Sequence, residues 1–72
     1  MTKREINRAI RHTGLTIQGQ RGAGYFYFID ANTEEQAGEM VCVCYLNQQS
    51  LASWVRDAED ARVALAADWA HC

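Results

Sequence analysis

Proline is absent from this chain of 72 residues, and no repeat or low-complexity segment interrupts it. Long apolar runs are also missing, since no stretch approaches the roughly 20 residues that a membrane-spanning helix needs. Residues 1–13 carry several charges and include no apolar segment, so we expect no secretory signal peptide. These absences predict one domain over residues 1–72, soluble and cytoplasmic, with no linker and no membrane contact.

Cysteine is scarce, and its three copies are Cys42, Cys44 and Cys72. An odd number without a secretion signal argues against a disulfide framework and for a reducing compartment. Structural zinc sites use cysteine pairs separated by two to four residues, which neither Cys42 with Cys44 nor the terminal His71-Cys72 pair provides. We therefore expect no metal and no cofactor, and we expect Cys42 and Cys44 to pack as small apolar residues on a strand.

Catalytic motifs are missing as well. The sequence contains no nucleophile elbow, phosphate-binding loop or metal-binding helix pair. His12 and His71 have no acidic partner in the sequence pattern. A domain of this size rarely encloses a pocket of several hundred cubic ångströms. The sequence therefore predicts a protein that is not an enzyme.

The charges are divided unevenly along the chain. Residues 1–21 hold five cations and one carboxylate, a net charge of +4, whereas residues 22–72 hold two arginines and eight carboxylates, a net charge of −6. This division predicts two electrostatically different surfaces. The alternative is that both are ordinary solvated faces.

Helix 1 and three strands are predicted from caps and periodicity. Thr2 has the position of an N-cap with Glu5 three residues later, and Gly14 ends the helix, which gives a helix over about residues 3–13. Alternating and strand-favouring residues predict strands at 15–19, 24–30 and 39–46. In the third strand we expect the even-numbered residues to face the core: Met40, Cys42, Cys44 and Leu46. The connections are too short for crossover helices, so the strands form an antiparallel meander.

The second helix is predicted to follow a cap at Ser50 or Asn47. Its apolar residues fall on one face of about 120 degrees: Leu51, Trp54, Val55, Ala58, Ala61, Leu65 and Trp69. The element order α-β-β-β-α predicts a two-layer α+β domain in which both helices pack on one face of a three-stranded antiparallel sheet. A helix of about 30 Å exceeds a strand of about 23 Å, so we expect Leu65 and Trp69 to overhang the sheet. An overhanging Trp69 needs a partner, which is the first helix, a second copy or another protein.

The stretch RGAGYFYF at residues 21–28 partly matches the RNA-recognition signature K/R-G-F/Y-G/A-F-V-x-F/Y. Ala23 replaces one stacking aromatic, the element order differs from that fold, and nearby carboxylates repel phosphate. Alternation predicts that Phe26 and Phe28 lie in the core and that Tyr25 and Tyr27 lie on the opposite face. The two tyrosines are then either a protein-binding surface or only a cover for the sheet.

Arg4, Arg8 and Arg11 fall within about 60 degrees of the first helix, opposite its isoleucines. Such a stripe suits nucleic-acid phosphates or an acidic protein surface. Together with the acidic second helix it also permits a homodimer or head-to-tail self-association. A solvated helix face is the remaining alternative.

The chain resembles the small accessory proteins of bacteriophages and prophages, on the segments TKREINRAI, GYFYF and YLN followed by SLASWV. Anti-CRISPR and other anti-defence proteins are similar in size and in lacking catalytic apparatus. The resemblance implies an inhibitor or adaptor that binds a host protein complex in the bacterial cytoplasm, often masking a nucleic-acid site. It assigns no individual residues to that role.

Overall fold

The computed structural model describes the backbone of residues 1–20 and 22–71 and the side chains of residues 1–20 and 22–65. Two helices enclose three strands in the chain order: α1 (Lys3–Ala9), a 3₁₀ turn (Arg11–Thr13), β1 (Leu15–Gly19), β2 (Phe26–Asp30), β3 (Gln36–Val41), a second 3₁₀ turn (Leu46–Gln48) and α2 (Leu51–His71).

The first helix begins at the predicted cap, and the helical segment made by α1 and the following 3₁₀ turn ends at the predicted glycine. The Thr2 hydroxyl accepts the backbone N–H of Glu5 at 3.2 Å, which satisfies one of the free donors at the helix start. Gly14 adopts the left-handed conformation, with φ of 71°, and ends the following turn. The predicted extent to residue 13 is right, but the last turn is 3₁₀ because Ile10 departs from helical geometry.

The sheet has the order β1-β2-β3, and both strand pairs are antiparallel, so the predicted meander and α+β fold are confirmed. Phe28 lies at its centre, opposite Ile17 on one side and Ala37 on the other. Both helices and alternate strand residues contribute to one buried cluster, which places the helices on one face.

Trp54 of α2 is the largest residue of that cluster and is fully buried. Its ring meets Phe26 and Phe28 edge-to-face, with centroids 5.9 Å and 6.3 Å away. Its indole N–H donates to the Leu46 carbonyl at 2.8 Å, so the buried polar atom has a partner. This core fixes the two phenylalanines inward, as predicted.

The third strand begins three residues before and ends five residues before the predicted 39–46, and its inward face is the opposite one. Met40 is 52% exposed and Cys42 is exposed, so their predicted packing is wrong. Val41 and Val43 pack against the core instead. The run MVCVCYL is apolar at odd and even positions alike, and the β-branched valines fit the core side better. Leu46 packs against the core, as predicted, although it and the half-buried Cys44 lie beyond the end of the strand.

A bulge interrupts β3 beside the second helix. Val41 pairs with Phe26 and Ala37 with Phe28, so residues 38–40 all lie opposite one residue of β2. Gly38 has φ of 70°, and a Cβ there would lie 2.8 Å from the Cβ of Ala61 in α2. Helix and strand therefore approach more closely here than any side chain on residue 38 permits.

The free edge of β1 is covered by polar side chains of α1. The Asn7 side-chain carbonyl accepts the backbone N–H of Ile17 at 2.8 Å. The Lys3 ammonium donates to the carbonyl of Gly19. These contacts satisfy strand groups that would otherwise face solvent or another chain.

Candidate protein-binding surface

The three predicted arginines lie together along one groove. Arg4, Arg8 and Arg11 are all exposed, and they line a groove of about 570 Å³ between α1 and the start of β1. The rest of its lining is formed by Asn7, Gly14, Leu15, Thr16 and Ala31. Among the described residues no carboxylate lines this groove or forms an ion pair with the three arginines. No described carboxylate therefore contacts the positive charge of this arginine groove.

The two predicted tyrosines lie side by side on the opposite face from the phenylalanines. Tyr25 is 43% exposed and Tyr27 is half-buried, whereas Phe26 and Phe28 are buried. The tyrosine rings are stacked, with centroids 6.2 Å apart and planes 25° apart. They line a second groove, of about 520 Å³, with Lys3, Gln18, Gly19, Gln20 and Ala23.

Strand β1 joins the two grooves. Thr16 lines the arginine groove and Gln18 lines the tyrosine groove, and both lie on the face of β1 that points away from the core. The Gln18 side-chain amide donates to the Thr16 hydroxyl at 3.4 Å, and Gln18 pairs with Tyr27 across the strands. Together these residues form one continuous surface, which we call the basic–aromatic surface: Arg4, Arg8, Arg11, Thr16, Gln18, Tyr25 and Tyr27.

An ion pair holds the floor of the arginine groove in place. Arg62 of α2 donates to the Asp30 carboxylate at 2.8 Å and to the Thr13 carbonyl at 2.7 Å. Gly14 follows Thr13 and Ala31 follows Asp30, and both line the arginine groove. The Ala31 N–H donates to the carbonyl of Gly14 at 3.0 Å. Helix α2 therefore holds two neighbouring segments of the groove lining together through Arg62.

The Asp30 carboxylate has its pKa held below the ordinary value. The hydrogen bond from Arg62 is the largest cause, and the backbone N–H groups of Asn32 and Thr33 add to it. These two N–H groups lie 2.8 Å and 3.1 Å from the other carboxylate oxygen. All of these donors favour the ionised form, and they outweigh the opposing effect of burial.

Trp69 is the remaining residue predicted to contact a partner. Its backbone belongs to α2, and its side chain is not among those that the structure describes. Leu65, which we expected to overhang the sheet with it, is half-buried and packs against the core cluster, to which both helices and the sheet contribute.

His12 has an acidic partner that its sequence position did not reveal. Its imidazole lies 2.9 Å from the carboxylate of Glu59, and both side chains are 54% exposed. The 3₁₀ turn brings His12 to α2, which is 47 residues away in sequence. The absence of a partner that we inferred from the sequence pattern is therefore wrong.

Cys42 and Cys44 are free thiols. Within the side chains that the structure describes, no three histidine, cysteine or acidic groups lie close enough to hold a metal ion. Cys72 is outside the described residues.

A third groove carries the opposite charge to the arginine groove. Glu39, Asp57 and Asp60 line a space of about 490 Å³ between β3 and α2. Because β1 and β3 form opposite edges of the sheet, the acidic groove and the arginine groove lie on opposite sides of the molecule. The charge asymmetry of the sequence therefore corresponds to two separate surfaces.

Comparison with protein-family models, with curated proteins and with solved structures finds no match to this chain. Within the described part of the chain, no helix has the length and apolar character needed to traverse a bilayer.

Proposed function

We propose that this protein is a small non-enzymatic inhibitor or adaptor of the phage type, which binds a host protein complex stoichiometrically in the bacterial cytoplasm. The observation that carries the proposal is the basic–aromatic surface, where exposed arginines and tyrosines adjoin. Arginine and tyrosine are among the residues that dominate binding energy at protein interfaces. An anti-defence role, such as blocking a CRISPR complex at its nucleic-acid site, is the finer form of this proposal.

The construction of the surface supports a binding role. Its residues lie on α1, on the 3₁₀ turn that follows it, on β1 and on or just before β2, so most are held by regular elements packed on one core. The Arg62 contacts to Asp30 and to Thr13 fix the groove floor. A surface that is ordered before binding loses less conformational entropy when the partner docks, which favours tight binding by so small a protein.

Affinity capture from a bacterial lysate tests the proposal. We expect the wild-type protein to retain a host protein complex at a fixed stoichiometry, and we expect Tyr25→Ala combined with Arg8→Gln to lose it. Arg56→Gln is the matched control, because Arg56 is exposed on α2 and outside the surface. Recovery of nothing above background by the wild-type protein would contradict the proposal.

A nucleic-acid-binding regulator is the second candidate function. Three arginines without carboxylates beside two stacked tyrosines resemble the combination with which proteins bind single strands. A gel-shift assay at low salt tests it, because phosphate contacts are strongest there. The absence of any shift under those conditions would remove this candidate.

A further inference from the structure

We infer that the arginine groove receives a helix of the protein partner that presents three carboxylates at successive turns. This inference rests on the proposed function and specifies the partner's chemistry. It follows from the spacing of the arginines, from their lack of described ion partners and from the carboxylates that flank the groove.

The arginine spacing matches a helix better than a strand. Arg4, Arg8 and Arg11 follow the i, i+4, i+7 pattern, and they span about 10.5 Å at 1.5 Å per residue. The 3₁₀ geometry at Arg11 adds at most about 1 Å to that span. Three carboxylates at i, i+4 and i+7 of a partner helix span the same distance, whereas three same-side residues of a strand span about 13.6 Å.

The groove supplies cations that are available for such a partner. The ion pairs found among the described side chains are Arg62 with Asp30 and His12 with Glu59, and neither uses a groove arginine. A guanidinium binds a carboxylate through two parallel hydrogen bonds, so three arginines can hold three acidic side chains in a fixed register.

The surroundings of the groove favour a short acidic segment over a nucleic-acid strand. Ala31 lines the groove, and Glu34 and Glu35 follow it in the exposed turn after β2. A continuous polyanion that leaves the groove past Ala31 meets these carboxylates and is repelled. A partner helix with only three carboxylates places no negative charge beside Glu34 and Glu35.

The tyrosines define a second feature of the partner. Thr16 and Gln18 are about 6.8 Å apart along β1, and Gln18 and Tyr27 are about 5 Å apart across the strands. Because these two steps are perpendicular, Tyr27 lies about 8 Å from Thr16, to one side of the arginine row and not beyond its end. The partner segment that fits is an acidic helix with an apolar side chain on the flank that faces the tyrosines.

Fluorescence anisotropy with designed peptides tests the inference. The probe is a labelled alanine-based helix with glutamates at i, i+4 and i+7. The comparison probes are the same peptide with glutamine at the three positions and an oligothymidine of 15 nucleotides. We expect the glutamate peptide to bind at least 10-fold more tightly than the glutamine peptide at about 50 mM salt.

Variants of the protein assign that binding to the groove. We expect Arg8→Gln to weaken glutamate-peptide binding about 3- to 5-fold, and the triple variant Arg4→Gln, Arg8→Gln and Arg11→Gln to weaken it at least about 20-fold, the range for exposed charge pairs. Arg56→Gln should leave it unchanged. Circular dichroism confirms that each variant is folded.

Three results would overturn the inference: equal binding of the glutamate and glutamine peptides, equal losses in Arg8→Gln and Arg56→Gln, or tighter binding of oligothymidine. The proposed function survives either of the first two results if the wild-type protein still captures a host complex that the double variant with Tyr25→Ala and Arg8→Gln loses. The proposed function is contradicted if the wild-type protein captures no host complex, independently of the peptide-binding results.

Discussion

Asp30 makes the stability of this protein depend on pH in a defined direction. Its folded-state pKa lies below the ordinary value of 3.8, mainly because of the hydrogen bond from Arg62. A carboxyl group whose pKa is lower in the folded state stabilises the protein at pH values above its unfolded-state pKa. This stabilisation is lost as the pH falls through the folded-state pKa. We expect the wild type to have a higher urea midpoint of unfolding than Asp30→Asn. This gap should have its full size at pH 6 and become smaller below about pH 4.

Urea unfolding of both proteins between pH 2 and pH 7 measures this gap. Glu35→Gln is the matched control, since Glu35 is an exposed carboxyl in the same turn with no described side-chain hydrogen bond. A gap that stays constant down to pH 2 would show that the Asp30 carboxylate contributes nothing through its charge.

Gly38 is the residue at which the backbone most restricts substitution. An added Cβ would lie 2.8 Å from the Cβ and 2.9 Å from the Cα of Ala61, in a backbone conformation that L side chains rarely adopt. Gly24 also has positive φ, but no atom lies within 4 Å of its added Cβ. We expect Gly38→Ala to lower the free energy of unfolding by about 1–3 kcal/mol more than Gly24→Ala, because only the former also overpacks the core. Similar losses in the two variants, measured by urea unfolding, would mean that α2 moves away from β3 without cost.

At the scale of elements, α1 protects the edge of β1. Asn7→Ala removes the acceptor of the Ile17 N–H, so we expect it to destabilise the protein by about 1–3 kcal/mol. It also exposes a strand edge, so we expect aggregation at lower concentration. Thermal unfolding and light scattering measure the two effects, and Asn47→Ala is the control because Asn47 is exposed and its side chain makes no described hydrogen bond. If the two variants behave alike, the contact from Asn7 does not protect the edge.

The two helices, β1 and β2 could be predicted because local signals agree there. Thr2 and Gly14 mark the ends of the first helical segment, and alternation assigns the phenylalanines and tyrosines of β2 to opposite faces. β3 could not be placed correctly, since the run from Met40 to Leu46 is apolar in both registers and the bulge at residues 38–40 leaves no sequence period. Only packing against α2 decides between the registers.

The arginine stripe and the tyrosine pair could each be predicted from the sequence, but their joining into one surface through β1 could not. The arginine spacing and the tyrosine alternation are visible in the sequence, whereas the join through Thr16 and Gln18 depends on which residue of β2 lies opposite Gln18. The Arg62 contact with Asp30 joins residues 32 positions apart, a distance that no local pattern covers. The acidic groove was not predicted, because it lies between α2 and β3 and the position of β3 could not be derived from the sequence.

For the whole molecule, the separation of charge matters more than the net charge of −2. The principal extents are 35 × 22 × 19 Å, and the Debye length at 0.1 M salt is about 10 Å, so an approaching surface senses mainly the nearer side of the protein. We expect the protein to be retained on a cation-exchange column at pH 7 and about 50 mM salt despite its net negative charge. The triple arginine variant should elute earlier than the Arg56→Gln control, and coelution would contradict the separation.

The Arg62 contacts also have a kinetic consequence. Arg62 reaches back 49 positions to Thr13 and 32 positions to Asp30, and we expect bonds between such distant positions to form late in folding, when α2 docks. Such contacts are absent from an earlier transition state, so losing them speeds unfolding and leaves folding almost unchanged. Stopped-flow measurements on Arg62→Gln should therefore show a displaced unfolding limb and an unmoved refolding limb, and slower refolding would place the docking of α2 before the rate-limiting barrier. On this view Arg62 sets how long the folded arginine groove persists once it has formed.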